Sequence, residues 1–272
     1  MKDIDAAFRA NQKLWDELSR LHFDSKTYKT REFLEGATTL HPVELNELGD
    51  VKGKSLLHLQ CQFGLDTLSW ARKGANVTGV DFSGAAIQLA RRLAEQTGLK
   101  GTFIESNIYD LPKVLSKKFD VVFTSYGVLC WLPDLPRWAE IVASFLKPKG
   151  VFYIAEFHPL MWVFDSDSHD GFEIRYSYFH NTQPSRFDVD KSYAETDKKI
   201  GPYVDYEWAH GLGDVVTALS NAGLRIRFLH EFPSSVFQQF PFLKQAKDGS
   251  WYYDNAEVQL PLMYSLLATK EH

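Results

Sequence analysis

The strongest constraint on this chain is an alternation. Between residues 55 and 158, short apolar runs rich in β-branched residues take turns with helical segments. "SLLHL", "NVTGVD", "GTFIES", "FDVVFTSYG" and "VFYIAEFH" read as strands. "LDTLSWARKGA", "GAAIQLARRLAEQTGL" and "LPRWAEIVASFLKPKG" read as helices, the last stopped by Pro148 and Gly150. Strands joined through helices require right-handed crossovers and a parallel sheet with helices on both faces. In such a sheet a ligand binds at the carboxyl ends of the strands, where the strand order reverses. The rule points to the loops after Leu59, Val80, Glu105, Thr124 and Glu156.

Outside this block the pattern differs. Residues 3–21 place Ile4, Phe8, Trp15, Leu18 and Leu21 at helical spacings, which predicts an amphipathic helix. From Pro159 to His210 there are 11 aromatics in 52 residues, and 10 Asp and Glu against 5 Lys and Arg. The chain carries 35 acids and 30 bases overall, so this stretch holds the whole excess of -5. "FEIRYSYFH" and "RFDVDKSYAE" alternate like half-exposed strands, and an inserted β-rich cap over the sheet's carboxyl edge is expected. "HGLGDVVTALSNAGL" then reads as a helix, and "RIRFLHEF" and "LPLMYSLLATK" as closing strands. The division this implies is 1–50 as an N-terminal helical cover, 51–158 with 207–272 as the main domain, and 159–206 as the cap.

Composition removes several classes of function. With 44% hydrophobic and 24% charged residues the chain is an ordinary globular one. A net charge of -5 and a pI near 6.0 argue against nucleic acid or an anionic membrane as partner. No run of about 18 apolar residues predicts a membrane span, and "MKDIDAAFRANQKLWDELSR" has no apolar signal core. Two cysteines in apolar surroundings, Cys61 and Cys130, predict neither a disulfide framework nor a metal site, and the expected compartment is a reducing cytoplasm.

The loop that should carry chemistry is "LLHLQCQFGLDTL", Leu56–Leu68. It contains neither a P-loop's Gly-Lys-Ser/Thr nor the G-x-G-x-x-G of dinucleotide binding. What it keeps is a spacing. Gly64 opens a helix, and Asp81 ends the following strand with Ser83 as the N-cap of the next helix. An acid at that strand end can accept hydrogen bonds from both hydroxyls of a ribose; its alternative role is to cap the helix or face solvent.

Several motifs together resemble the class I S-adenosylmethionine-dependent methyltransferases of small-molecule type. "SLLHLQCQFGLDTLSWARKGANVTGVDFSGAAIQLAR" is similar to the family's first and second motifs, "ESNIYDLP" to the third, and "FDVVFTSYGVLCWLPDLPRWAEIVASFLKPKGVFYIAEFHP" to the fourth and fifth. "LSNAGLRIRFLHEFP" with "LPLMYSLLATK" resembles the last helix, sixth strand and antiparallel seventh strand. The resemblance covers residues 50–158 and 207–270. It implies a seven-stranded Rossmann-like sheet, parallel except for its last strand, with S-adenosylmethionine as cofactor and S-adenosylhomocysteine as product. The first loop departs from the family. Where its members have Asp or Glu, apolar, Gly, Cys, Gly, x, Gly, this chain reads His58, Leu59, Gln60, Cys61, Gln62, Phe63, Gly64.

By position in the family's motifs, the expected cofactor-binding residues are Gln60, Gln62, Gly64, Asp66, Asp81, Phe82, Ser106, Asn107, Ile108 and Ser125. Gln62 and Asp66 are placed at the methionine end, with Asp66 substituting for the missing acid at position 58. Asp81 is assigned to the ribose, and Phe82, Ser106, Asn107 and Ile108 to the adenine. Asn107 has a competing role as a turn residue. Candidate catalytic groups are His158, Tyr126 and His210, with His158 the first choice for a general base against the alternative of a structural histidine. Trp15, His22, Tyr28 and Trp131 are candidates for the acceptor site. The expected partner is a small-molecule methyl acceptor, on a monomer or homodimer. The alternative is a non-catalytic sensor that retains the nucleoside pocket, and a nicotinamide-dependent oxidoreductase is a third reading.

Overall fold

In a computed structural model, residues 2–194, 199–255 and 257–272 are described. The chain begins with α1 (Lys2–Phe23), α2 (Thr30–Leu34) and α3 (Pro42–Leu48). It then alternates through β1 (Ser55–Leu59), α4 (Leu65–Arg72), β2 (Asn76–Asp81), α5 (Gly84–Thr97), β3 (Gly101–Glu105), α6 (Leu111–Val114), β4 (Phe119–Ser125), α7 (Leu135–Phe145) and β5 (Leu146–Phe157). A hairpin of β6 (Ser185–Lys191) and β7 (Lys199–Glu207) follows. After it come α8 (Leu212–Asn221), β8 (Leu224–Phe232), the two-residue strands β9 (Ser234–Ser235), β10 (Lys244–Gln245) and β11 (Trp251–Tyr252), and β12 (Met263–Lys270).

The main sheet has seven strands in the order β3-β2-β1-β4-β5-β12-β8. β1 to β5 are parallel, while β12 is antiparallel to both its neighbours. The strand order reverses between β1 and β4, which opens the ligand crevice there. Every residue of β1 is buried. On one face Leu57, Leu59 and Val122 pack with Trp138, Val142, Val215 and Leu219 from α7 and α8. On the other, Leu56, Val121, Phe123 and Tyr153 pack with Trp70 of α4 and Leu48 of α3. Burial on both faces is what makes these strands continuous apolar runs in the sequence.

The expected seven-stranded sheet is present, with four differences elsewhere. The helix expected over 135–150 ends at Phe145, and β5 starts at Leu146, paired with Phe119. "FEIRYSYFH" forms no strand; its one pairing is an isolated bridge, Phe164 to Ile174. Its Phe172 instead packs against Phe164, Phe240, Phe242 and Tyr253. Of the alternating residues only Phe172 joins this aromatic cluster, while Ile174 is exposed and Tyr176 packs against Phe187. Finally, β7, the partner of β6, and the segment 233–262 that carries β9 to β11 have no counterpart in the sequence reading.

Both added segments leave the sheet at the carboxyl ends of β5 and β8. The β6–β7 hairpin lies against α1. Asn11, fully buried, donates its Nδ2 to Tyr206 O and accepts from Tyr206 N, both at 2.8 Å. One amide side chain thereby replaces a neighbouring strand. Replacing Asn11 by Ala leaves two backbone groups of β7 unpaired, at about 1–3 kcal/mol each. The expected outcome is a lower urea midpoint together with early proteolytic cleavage within 185–207; cleavage as slow as in the parent would contradict this anchoring role.

Candidate active site

The loop after β1 explains its own sequence. Gln60, Gln62 and Gly64 have φ of 57°, 50° and 78°. All three are left-handed, the conformation that glycines would favour, and each non-glycine residue there costs about 1–2 kcal/mol. The loop is fixed in this form by the edge of β2: Cys61 N donates to Val80 O at 2.9 Å and Gln62 N to Asp81 Oδ2 at 2.8 Å. Gly64 is required for a second reason. A Cβ there would stand 2.8 Å from the Phe103 ring.

The glutamine side chains are put to use. Gln60 donates to Val128 O at 2.9 Å, and its Oε1 is buried without a partner. Gln62 Nε2 donates to Tyr28 Oη at 3.1 Å and lies 3.2 Å from His22 Nδ1. His58, where the family has an acid, is a buried link between β1 and α4. Its Nδ1 meets Thr67 Oγ1 at 2.8 Å, and burial lowers its pKa to about 4, so it is neutral. Asp66 stands in the first turn of α4, where the helix dipole favours an anion. It accepts from Thr39 Oγ1 and, at 3.3 Å, from Ser125 Oγ.

Asp81 sits between these parts. Its Oδ2 accepts from Gln62 N and its Oδ1 from Ser83 N at 2.9 Å, while burial raises its carboxyl to about 6. Each oxygen keeps a lone pair for a further donor. Beside it Phe82, Ser106 and Asn107 line a pocket of about 160 Å³ with Glu105 and, from α1, Phe8, Arg9 and Gln12. That is below the roughly 300–1,000 Å³ of a full ligand site, so the pocket suits one end of a ligand. α1 is held down as its roof: Gln12 Nε2 donates to Phe82 O at 2.6 Å, and Asp16 Oδ1 accepts from Ser83 Oγ at 2.6 Å. Asn107 is also a turn residue, since its Oδ1 caps Tyr109 N at 2.9 Å. The carboxamide nitrogen is the part left to meet a base. Ile108 is buried in the core beneath.

Residues 57–152 match a family model described as a methyltransferase domain. The chain is 31% identical over 119 residues to the ubiquinone biosynthesis O-methyltransferase of Photorhabdus laumondii, covering 42% of this chain and 49% of that protein. It is 35% identical over 119 residues to the Vibrio parahaemolyticus enzyme of the same name, covering 42% and 50%. The chain thus spans about half the length of these relatives. An S-adenosylmethionine-dependent methyltransferase structure from Mesorhizobium loti superposes with TM-score 0.59 at 20% identity, over 87% of this chain and 99% of that one. One from Clostridium acetobutylicum gives 0.55 at 16%, over 97% and 99%. Residues 57–152 are thus similar to a methyltransferase domain, and the fold is the one these S-adenosylmethionine-dependent methyltransferase structures have.

Around the crevice, the four residues expected at the acceptor site come together. Trp15 packs edge-on to Trp131 at 5.4 Å and to His22 at 6.1 Å, and His22 stacks on Tyr28 at 4.8 Å. Tyr193, which the sequence reading did not single out, closes the group from the insert: its ring lies 4.6 Å from His22 and its hydroxyl hydrogen-bonds that of Tyr28. His22 also meets Ser192 Oγ at 2.9 Å, and burial lowers its pKa to about 3. Phe8 and Gln12 were legible only as helix positions, and Glu44 had a missed local signal in "HPVE". Pro42 opens α3 and the Glu44 carboxylate accepts from His41 N at 2.7 Å.

The three catalytic candidates are each committed elsewhere. His158 caps the turn Pro159–Val163: its Nδ1 accepts from Leu160 N at 3.1 Å, and its Nε2 stands 3.0 Å from Glu231 Oε1. Desolvation lowers its pKa despite Glu231. It fits the structural alternative. His210 is stacked on His180 at 4.8 Å, and its Nε2 meets Leu132 O at 2.6 Å, so that nitrogen carries the proton. Tyr126 borders the crevice at φ 44°, but its hydroxyl donates to Glu44 Oε2 at 2.8 Å and burial pushes the phenol up. Of the three, only Tyr126 remains at the crevice, as a wall.

Glu156, at the end of β5, fixes the far wall. Its carboxylate accepts from the backbone N–H groups of Gly127, Val128 and Phe157, the last two at 2.8 and 2.7 Å.

Two outcomes are expected at Asp81. Ala in its place should weaken cofactor binding at least tenfold, about 1.4 kcal/mol, as read by calorimetry. Burial has raised this carboxyl, so it ionises only above about pH 6. Hydroxyl donors favour the ionised form. Affinity should therefore be full above that point and decline as pH falls through it, with the decline absent in Asp81→Asn. Unchanged affinity in Asp81→Ala would refute the ribose role.

Proposed function

We propose that this chain transfers a methyl group from S-adenosylmethionine to a small-molecule acceptor. The observation that carries the reading is the loop Gln60–Gly64, held left-handed at three alternate positions and bonded through Gln62 N to Asp81. A plain connecting turn has no need of that strain. The residues present fit the cofactor. Asp81 has lone pairs for the ribose hydroxyls, Asn107 Nδ2 is free for the base, and Phe82 flanks the pocket. Gln62 and Asp66, at the amino end of α4, are placed for the amino-acid end.

S-adenosylmethionine, when bound, supplies a sulfonium-activated methyl group that an acceptor lone pair displaces in line. The work of this chain's residues is alignment and exclusion of water. Trp15, Trp131, His22, Tyr28 and Tyr193 form an aromatic wall whose ring faces suit a cation. His22, neutral through burial and held by Ser192 and Gln62, serves as part of that wall. Two buried free cysteines fit a reducing cytoplasm, and we take the working unit to be a monomer or homodimer. Among the described residues no helix is long and apolar enough to cross a membrane.

Calorimetry with S-adenosylmethionine and S-adenosylhomocysteine tests the reading. Both are expected to bind, with the product competing against the cofactor. Binding of neither would end it, and binding without turnover on any acceptor panel would favour the sensor.

A further inference from the structure

Strand alternation in β7 puts Tyr203, Asp205 and Glu207 on one face. That face is turned inward, because Tyr203 packs in the cluster formed by Leu14 and Leu18 of α1, and Asn11 clamps the backbone of Tyr206. Beyond Glu207, Trp208 N donates to Cys130 O at 2.8 Å, which ties this end of β7 to the turn Leu129–Trp131. The two carboxylates therefore stand between α1 and the turn bearing Trp131, beside the Trp15–Trp131 contact.

Asp205 is 8% exposed and its Oδ1 has no hydrogen-bond partner. Among the described residues no Lys, Arg or His forms an ion pair with either acid. A buried carboxylate with no partner is costly, and two side by side more so. Trp15 of α1, which meets Trp131, buries its Nε1 with no partner, and so does Gln60 with its Oε1, its Nε2 being bonded to Val128 O in the turn before Cys130. Orphaned polar atoms thus sit on α1, on β7 and in the cofactor loop, against a background in which buried polar groups are nearly always satisfied.

We propose that Asp205 and Glu207 form an anionic anchor in the acceptor site, and that the acceptor carries a positive charge, an organic ammonium. This rests on the methyltransferase reading above and names its substrate class. The ammonium is the anchor and not the attacking atom, which must keep a free lone pair. The aromatic faces of Trp15 and Trp131 add to the preference for a cation. Burial raises Asp205 to about 7, and burial together with the neighbouring Asp205 raises Glu207 to about 8, as expected of carboxylates that lack a counter-charge. Burial and then Glu207, Glu156 and Asp205 push up the Cys130 thiol, which places the pair beside that turn.

The test uses the full chain saturated with S-adenosylhomocysteine and a matched set of probes: phenethylamine, benzylamine and their N-methyl forms against phenethyl and benzyl alcohol. Equilibrium dialysis should show at least tenfold tighter binding of one or more amines than of the alcohol of the same shape. That preference should vanish in Asp205→Asn/Glu207→Gln, a variant expected to bind S-adenosylhomocysteine as the parent does. Alcohols bound as well as amines, no amine bound, or a preference that survives the double substitution would each overturn the anchor. Failure of the parent to bind S-adenosylhomocysteine would instead overturn the methyltransferase reading, so the two failures are distinguishable.

Discussion

The site depends on one carboxylate and the two backbone N–H groups it accepts. Asp81 holds Gln62 N with one oxygen and Ser83 N with the other. The first bond fixes the loop after β1, and the second fixes the start of α5. Both converge on the crevice made by the reversal of strand order between β1 and β4. Glu156 repeats the device across the crevice, collecting N–H groups from the loop after β4. Two buried acids at strand ends therefore set the positions of two loops that would otherwise be free to move.

Seen this way, the irregular first loop is regular in its backbone and irregular only in its side chains. The left-handed geometry is kept at Gln60 and Gln62 at a cost of about 1–2 kcal/mol each, and the side chains offset part of that with bonds that glycine could not make. Gln60 reaches the turn after β4, and Gln62 reaches Tyr28 and His22 in the N-terminal segment. The two glutamines couple the loop after β1 to the N-terminal segment and to the turn after β4. His58 fits the same picture, as a neutral polar link to α4 in the place of a charge.

Much of the frame was legible in the sequence because its causes are local. Buried parallel strands show as apolar runs, Ser83 and Asp134 as helix caps, and Asp81 as an acid at a strand end. The gathering of Trp15, His22, Tyr28 and Trp131 was legible only through family resemblance. What was missed is long-range. Whether an aromatic run pleats or clusters depends on residues far along the chain, as Phe172 with Phe240 and Tyr253 shows. The partners of the two candidate histidines are long-range or turn-dependent for a similar reason. His158 and His210 sit at suggestive places in the chain, but their nitrogens are engaged by Leu160 and Leu132, which no spacing rule reveals.

The most direct test is a crystal structure of the chain grown with S-adenosylhomocysteine. The account predicts both ribose hydroxyls on Asp81, the base in the pocket beside Phe82 and Asn107, and the sulfur facing Tyr126 and the Trp15–Trp131 wall. A nucleoside bound away from the carboxyl end of β2, or a loop whose Gln60 and Gln62 leave the left-handed region when it binds, would contradict it.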